Sequence, residues 1–314
     1  MTPLSSLTGL NGPAAHVRAE IASQPQTWRQ AVATAAEHTR SFPEHGERVA
    51  VVGCGTSWFI AQAYAVRREQ LGHGRTDAFA ASEFPAGRDY DHVLGISRSG
   101  TTTEVLDLLR DLAGSTTTLA IVGDPASPAA QIADRCISLA FADEESVVQT
   151  RFATSTLSLL RASLGEDLSP VIDQAETVLD EQVPTPWLER TQFTFLGRGW
   201  SVGLAHEAAL KMREAALAWT ESYPAMDYRH GPISISDSRS VVFLLGEVPA
   251  GLPEQIEATG ALAVPLGDED PQLSLLRCQK LAVNLALAAG LDPDHPRNLS
   301  RSVVLDPGTP DSTA

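Results

Sequence analysis

The chain has 314 residues, 43% of them hydrophobic, enough for one large core or two ordinary ones, and the length favours two domains. A formal net charge of −16 argues against nucleic-acid binding, which needs an excess of Lys and Arg to neutralise phosphates. Cys54, Cys136 and Cys278 form no CxxC pair, and no apolar run reaches membrane-spanning length or reads as a signal sequence. A cytoplasmic protein without a metal, a cofactor or a membrane partner is expected.

A short helical segment, Ala14 to Ala33, opens the chain. Residues 47–54 form a β-branched run ending in glycine, followed by Ser57 and the helical stretch WFIAQAYAVRREQLG. Residues 92–96 repeat the strand, the polar loop SRSGTTTE leads into VLDLLRDLAG, and 118–122 supply a third strand. Alternating strands and helices predict a parallel sheet covered on both faces. The pattern then restarts: the turn Gly53-Cys54-Gly55-Thr56-Ser57 is echoed 144 residues later by Gly197-Arg198-Gly199-Trp200-Ser201. Strands at 193–196, 241–245 and 262–266 and helices at 201–219 and 273–290 complete a second lobe. The expected division is an N-terminal helical segment (1–34), a first lobe (35–170), a linker (171–192) around DEQVPTPWLER, a second lobe (193–305) and a flexible tail (306–314).

Ser97-Arg98-Ser99-Gly100-Thr101-Thr102-Thr103-Glu104 concentrates hydroxyls and a glycine between a strand end and a helix start. There the helix dipole, free backbone N–H groups and hydroxyl donors suit an anion, and Arg98 can add a charge-assisted bond. Thr101 and Glu104 also read as a capping box, which leaves Ser97, Ser99, Thr102 and Thr103 unexplained. A dinucleotide turn at GCGTS is disfavoured because Trp58 stands at the third-glycine position of GxGxxG.

In the second lobe, Glu207, Lys211 and Glu214 share one face of a helix whose remaining surface is largely apolar. They read either as a solvated stripe with an ordinary ion pair or as a charged row facing a cleft, and the cleft is the favoured reading. His230 precedes a Gly-Pro turn outside any periodic pattern. The histidines show no metal-ligand spacing.

Taken together, VVGCGTSWF, GISRSGTTTEVL, SVVQTRFATSTL, FLGRGWSVGLAHEAALKMREAALAWTESYPAMDYRHGPISI and LDPDHPRNLSRSVVLD resemble the sugar isomerase (SIS) family in its order. The likeness is greatest to the isomerase half of glucosamine-6-phosphate synthase and its stand-alone deaminase relatives. The resemblance implies an α/β protein of two flavodoxin-like lobes, each a parallel sheet flanked by helices, acting on a sugar phosphate as a homodimer. It implies a phosphate held by Ser97, Arg98, Ser99 and Thr102, with Ser57 and the segment from Val147 through Gln149 to Thr150 lining the sugar site. Glu214 matches the base that moves a proton between C2 and C1, with Glu207 and Lys211 tuning it. His230 matches a ring-opening histidine contributed by the partner subunit.

Two departures stand out. The sequence lacks the synthase's glutaminase half, so glutamine-dependent amination is not expected. Arg301 replaces the lysine that forms an imine with the sugar; it stays protonated, cannot form that imine, and can only stabilise an oxyanion. Isomerisation with deamination of an amino-sugar phosphate such as glucosamine 6-phosphate is the expected activity, and dehydration of the same substrate is the alternative. A non-catalytic sugar-phosphate sensor is a third reading, disfavoured because too few residues precede the first strand for a DNA-reading domain. A single-lobed relative acting on an acyl sugar is argued against by the internal duplication.

Overall fold

The computed structural model describes residues 12–85 and 87–305; the expected flexible tail, 306–314, lies outside the described residues. Two helices, α1 (Ala15–Ala22) and α2 (Gln24–Glu37), precede the first strand. The first lobe runs β1 (Val49–Gly53), α3 (Thr56–Gln70), β2 (Thr76–Ala80), β3 (His92–Ser97), α4 (Thr103–Leu112), β4 (Thr117–Val122), α5 (Pro128–Ile132), β5 (Arg135–Ser138) and α6 (Arg151–Ser163). Helices α7 (Ser169–Asp180) and α8 (Thr185–Leu188) lead to the second lobe. That lobe comprises β6 (Gln192–Gly197), α9 (Ser201–Ala216), β7 (Thr220–Pro224), β8 (Ser240–Leu245), α10 (Leu252–Glu257), β9 (Leu262–Leu266) and α11 (Pro271–Ala288).

Both sheets are parallel throughout, in the orders β2-β1-β3-β4-β5 and β7-β6-β8-β9. This is the flavodoxin-like arrangement used twice. The central strands β1, β3 and β8 are buried at every position, as strands covered on both faces must be. Strand order reverses between β1 and β3, and open α/β sheets bind ligands in the crevice outside the strand ends at such a switch point. The start of α3, with Ser57, follows β1 and the loop from Ser97 follows β3, so both flank this crevice.

One continuous apolar cluster joins the two lobes, from Val49, Ile60 and Tyr64 of the first to Leu204, Met212, Phe243 and Leu281 of the second. Gly203 makes the close approach of α9 to α3 possible: a Cβ there would lie 2.5 Å from the Phe59 carbonyl oxygen and 2.7 Å from the Ala63 nitrogen. Helices α1 and α2 pack with α7 and α11 through Val17, Ile21, Trp28, Ile172 and Leu273. Within 180–190, Trp187 of α8 sets its ring edge-on to Phe243, 5.0 Å between centroids.

Candidate functional site

The loop after β3 is shaped by Gly100, whose φ is +63° and whose Cβ, if present, would meet the Ser127 hydroxyl at 2.1 Å. Only glycine fits there. The capping box does not form: α4 starts at Thr103, its N-cap is Thr102, and no side-chain cap bond is made. The hydroxyls turn to one another instead. Ser97 Oγ and Thr102 Oγ1 are 3.2 Å apart, and Thr101 Oγ1 donates to Ser99 Oγ at 3.0 Å. A cluster of hydroxyls at a helix start, unspent on capping, is a chemically suitable anion cradle.

Arg98 extends from this loop into the protein and is only 2% exposed. Its guanidinium donates to the Ser146 carbonyl oxygen at 2.8 Å and the Arg301 carbonyl oxygen at 3.0 Å, and lies 3.7 Å from the Glu144 carboxylate. The sequence points to Arg98 as a phosphate ligand; the structure engages its guanidinium as a strut between the 144–150 segment and the C-terminal segment. Burial pushes the Arg98 pKa down, and the Glu144 carboxyl is pushed up chiefly by its own burial against the pull of Arg98.

Residues 301–305 lie along the cradle. Ser302 Oγ is 3.1 Å from Ser99 Oγ and 2.9 Å from Thr101 Oγ1, while Val303 and Leu305 bond to the backbone and side chain of Thr103. Arg301 grips the Asp143 carboxylate at 2.6 and 2.7 Å and donates to the Glu144 carbonyl oxygen. Arg301, Asp143, Ser99, Thr101 and Ser302 line a cavity of about 470 Å³ together with Gly123 and Asp124. Gln149 presents a buried amide oxygen with no hydrogen-bond partner among the described residues.

The second group of candidates lies on α9. Lys211, 1% exposed, sits 3.3 Å from Glu207 and 2.5 Å from Glu214. The row therefore faces the interior, not solvent, and only Glu214 keeps part of its side chain open, at 18%. Across the lobe boundary, Thr56 donates to Glu207 Oε1 at 3.2 Å and accepts from Lys211 Nζ at 2.9 Å. This ties the charged row to the start of α3, which also carries the buried Ser57. Burial raises the Glu207 pKa to about 7 despite the Lys211 charge, and the two carboxylates keep the Lys211 ammonium protonated above its usual range.

His230 closes a short helical turn, Asp227–His230, after β7, and is exposed. Among the described residues no hydrogen bond or ion pair joins it to the other candidates. Thr56, Ser302, Asp143, Glu144 and Glu20 also belong to these networks, although the sequence did not single them out. Thr56 and Ser302 adjoin residues already marked, which was a usable signal. Asp143 and Glu144 sit in the acidic run Asp143-Glu144-Glu145, which carries no motif of its own, and Glu20 acts through contacts that no local pattern reveals.

Residues 44–164 match the SIS domain family. The first lobe is similar to the SIS domain. Over 83% of its length it is 28% identical to a glutamine–fructose-6-phosphate aminotransferase (isomerizing) from Gloeobacter violaceus and 29% identical to one from Methanothermobacter thermautotrophicus, covering 52% of each. The chain thus spans about half the length of these curated relatives. Among solved structures, glucosamine-6-phosphate deaminase from Thermotoga maritima matches with a TM-score of 0.76 at 24% identity, covering 91% of this chain and all of that one. Tagatose-6-phosphate ketose/aldose isomerase from Escherichia coli matches at 0.75 and 18%, covering 95% and 100%. At such identities the structural likeness establishes the shared fold. No helix among the described residues is long and apolar enough to cross a membrane.

Proposed function

We propose that this protein is an enzyme that binds an amino-sugar phosphate such as glucosamine 6-phosphate and removes the C2 proton with Glu214. The carrying observation is the buried row in which Lys211 bridges Glu207 and Glu214 while Thr56 fastens it to the start of α3 in the other lobe. Burying Glu207 and Lys211 this deeply is costly unless charges are paired, and an interior row with the third member, Glu214, left partly open suits a base better than a fold-stabilising device. The phosphate would rest on Ser97, Ser99 and Thr102 at the start of α4, with Arg98 contributing charge from behind. Val147, Gln149 and Ser57 would face the sugar. The partly open Glu214 would pass the proton from C2 to C1, with the Lys211 ammonium stabilising charge that develops on the sugar oxygens.

His230 would open the sugar ring in the partner subunit's site, consistent with its exposure and its separation from the other candidates in a single chain. Arg301, held by Asp143 and unable to form an imine, favours a route without a covalent lysine adduct. Dehydration of the same substrate is compatible with that route and is separated from deamination by mass. Incubation with glucosamine 6-phosphate should give fructose 6-phosphate and ammonia for deamination, or a product lighter by one water for dehydration. Glu214→Gln should bind the sugar phosphate normally and lose turnover by about a thousandfold or more. Full turnover in that variant, or no reaction of the wild type with any hexose or hexosamine phosphate, refutes the proposal.

A further inference from the structure

Two buried carboxylates that the proposed chemistry does not use stand at either end of the segment lining the sugar site. Glu20, on α1 and 3% exposed, accepts from the backbone nitrogens of Glu145 at 2.6 Å and Ser146 at 3.2 Å and from the Ser146 hydroxyl. Glu144 accepts from the Thr150 nitrogen at 2.6 Å, the Thr150 hydroxyl at 2.9 Å and the Arg151 nitrogen at 2.8 Å. Buried carboxylates persist only when such donors replace lost water, so each holds its end of the segment firmly. Between the two anchors lie Val147, Val148 and Gln149, and the buried Gln149 amide oxygen has no hydrogen-bond donor among the described residues. A sugar hydroxyl is a donor of the right kind.

The first anchor comes from outside the matched SIS region of 44–164. Helix α1 is itself secured at its start, where Asp294 accepts from the nitrogens of His16 and Val17 at 2.9 and 2.8 Å, and Asp292 from that of Ala14 at 2.8 Å. The Glu20 carboxylate thus has a fixed base, and among the described residues its donors come from residues 145 and 146.

We propose that Glu20 is a positioning residue for the sugar. Its carboxylate sets the path of Glu145 and Ser146 so that Val147 to Gln149 face the hexose, while the phosphate is gripped separately by the loop from Ser97 to Thr102. The inference rests on the proposed function in taking a hexose phosphate as the ligand.

Glu20→Gln keeps the shape but turns an amide N–H₂ toward donors that need an acceptor. Calorimetry with glucosamine 6-phosphate, fructose 6-phosphate and inorganic phosphate, together with hydrogen exchange of the 145–150 amides, tests the idea. The expected result is a hexose phosphate Kd, and a KM where turnover is measured, raised about tenfold, with kcat and the inorganic phosphate Kd held within about twofold. Exchange at 145–150 should accelerate. Should Glu20→Gln fail to fold, Ser146→Ala, which removes one donor only, should show the same split more weakly. Normal sugar binding by the wild type with an unaltered variant overturns the Glu20 inference alone, as does equal weakening of the sugar phosphates and inorganic phosphate. A wild type that binds inorganic phosphate but neither sugar phosphate overturns the functional reading, and the positioning role with it.

Discussion

At the scale of the residue, burial acts strongly on Glu207. Its pKa rises to about 7, mainly because the carboxyl is desolvated, with Lys211 opposing the rise and Glu214 reinforcing it. Between the unfolded value of 4.5 and the folded value near 7, the folded protein holds a proton that the unfolded chain has released. The stabilisation from this group is therefore fully present below pH about 4.5 and is lost as pH rises through about 7. Glu207→Gln cannot titrate and should lack this dependence. Denaturant unfolding of both proteins across that range should show the wild type losing ground to the variant by on the order of 3 kcal/mol at most. A constant difference at every pH would show that Glu207 is ionised throughout. The i, i+4, i+7 spacing made this row visible in the sequence, because spacing alone puts residues on one helix face. What spacing does not reveal is the hydroxyl of Thr56, 151 residues away from Glu207, which decides that the face looks across a lobe boundary.

Elements were legible in proportion to how completely they are buried. The strands read from continuous apolar runs, β1, β3, β4, β6, β8 and β9, include every central strand, whereas β2, β5 and β7 carry short sequences such as TDAFA, RCIS and TESYP whose outer faces are part-exposed. Three of the four edge strands thus lack the apolar repetition that announces a central one, while β9, with LAVPL, keeps it. Helix α9 stops at Ala216, short of the apolar run through Trp219, because Leu217 turns into the left-handed region at φ 54° and the chain re-enters the sheet as β7. One helix end rests on a distant side chain. Lys280 of α11 donates to the carbonyl oxygens of Val178, Leu179 and Glu181 at the close of α7, and burial lowers its pKa to about 8. Lys280→Met keeps the apolar stem and removes all three donors, so it should destabilise the protein by about 2 kcal/mol. Thermal unfolding measures this, and an unchanged midpoint would mean that water caps α7 equally well.

At the scale of the whole molecule, the first lobe carries the hydroxyl cradle, the second carries the charged row that Thr56 ties across the lobe boundary, and His230 stands apart from both. It is exposed, and so are the apolar side chains of Met226 and Ile235 nearby in sequence, at 49% and 51%. A twofold dimer that buries this face and carries the partner subunit's His230 to the Glu214 of the first would account for both. Mixing variants tests that geometry directly. Glu214→Gln and His230→Ala should each be inactive alone. Unfolded together and refolded, they assort at random, and about half of the dimers carry one chain of each kind. If the histidine is supplied across the interface, one site in each mixed dimer unites an intact Glu214 with an intact His230, so activity returns to about a quarter of the wild-type level. If both residues serve the same chain, every site in the mixture lacks one of them and no activity returns. The recovered fraction therefore reads out which subunit's histidine meets the base.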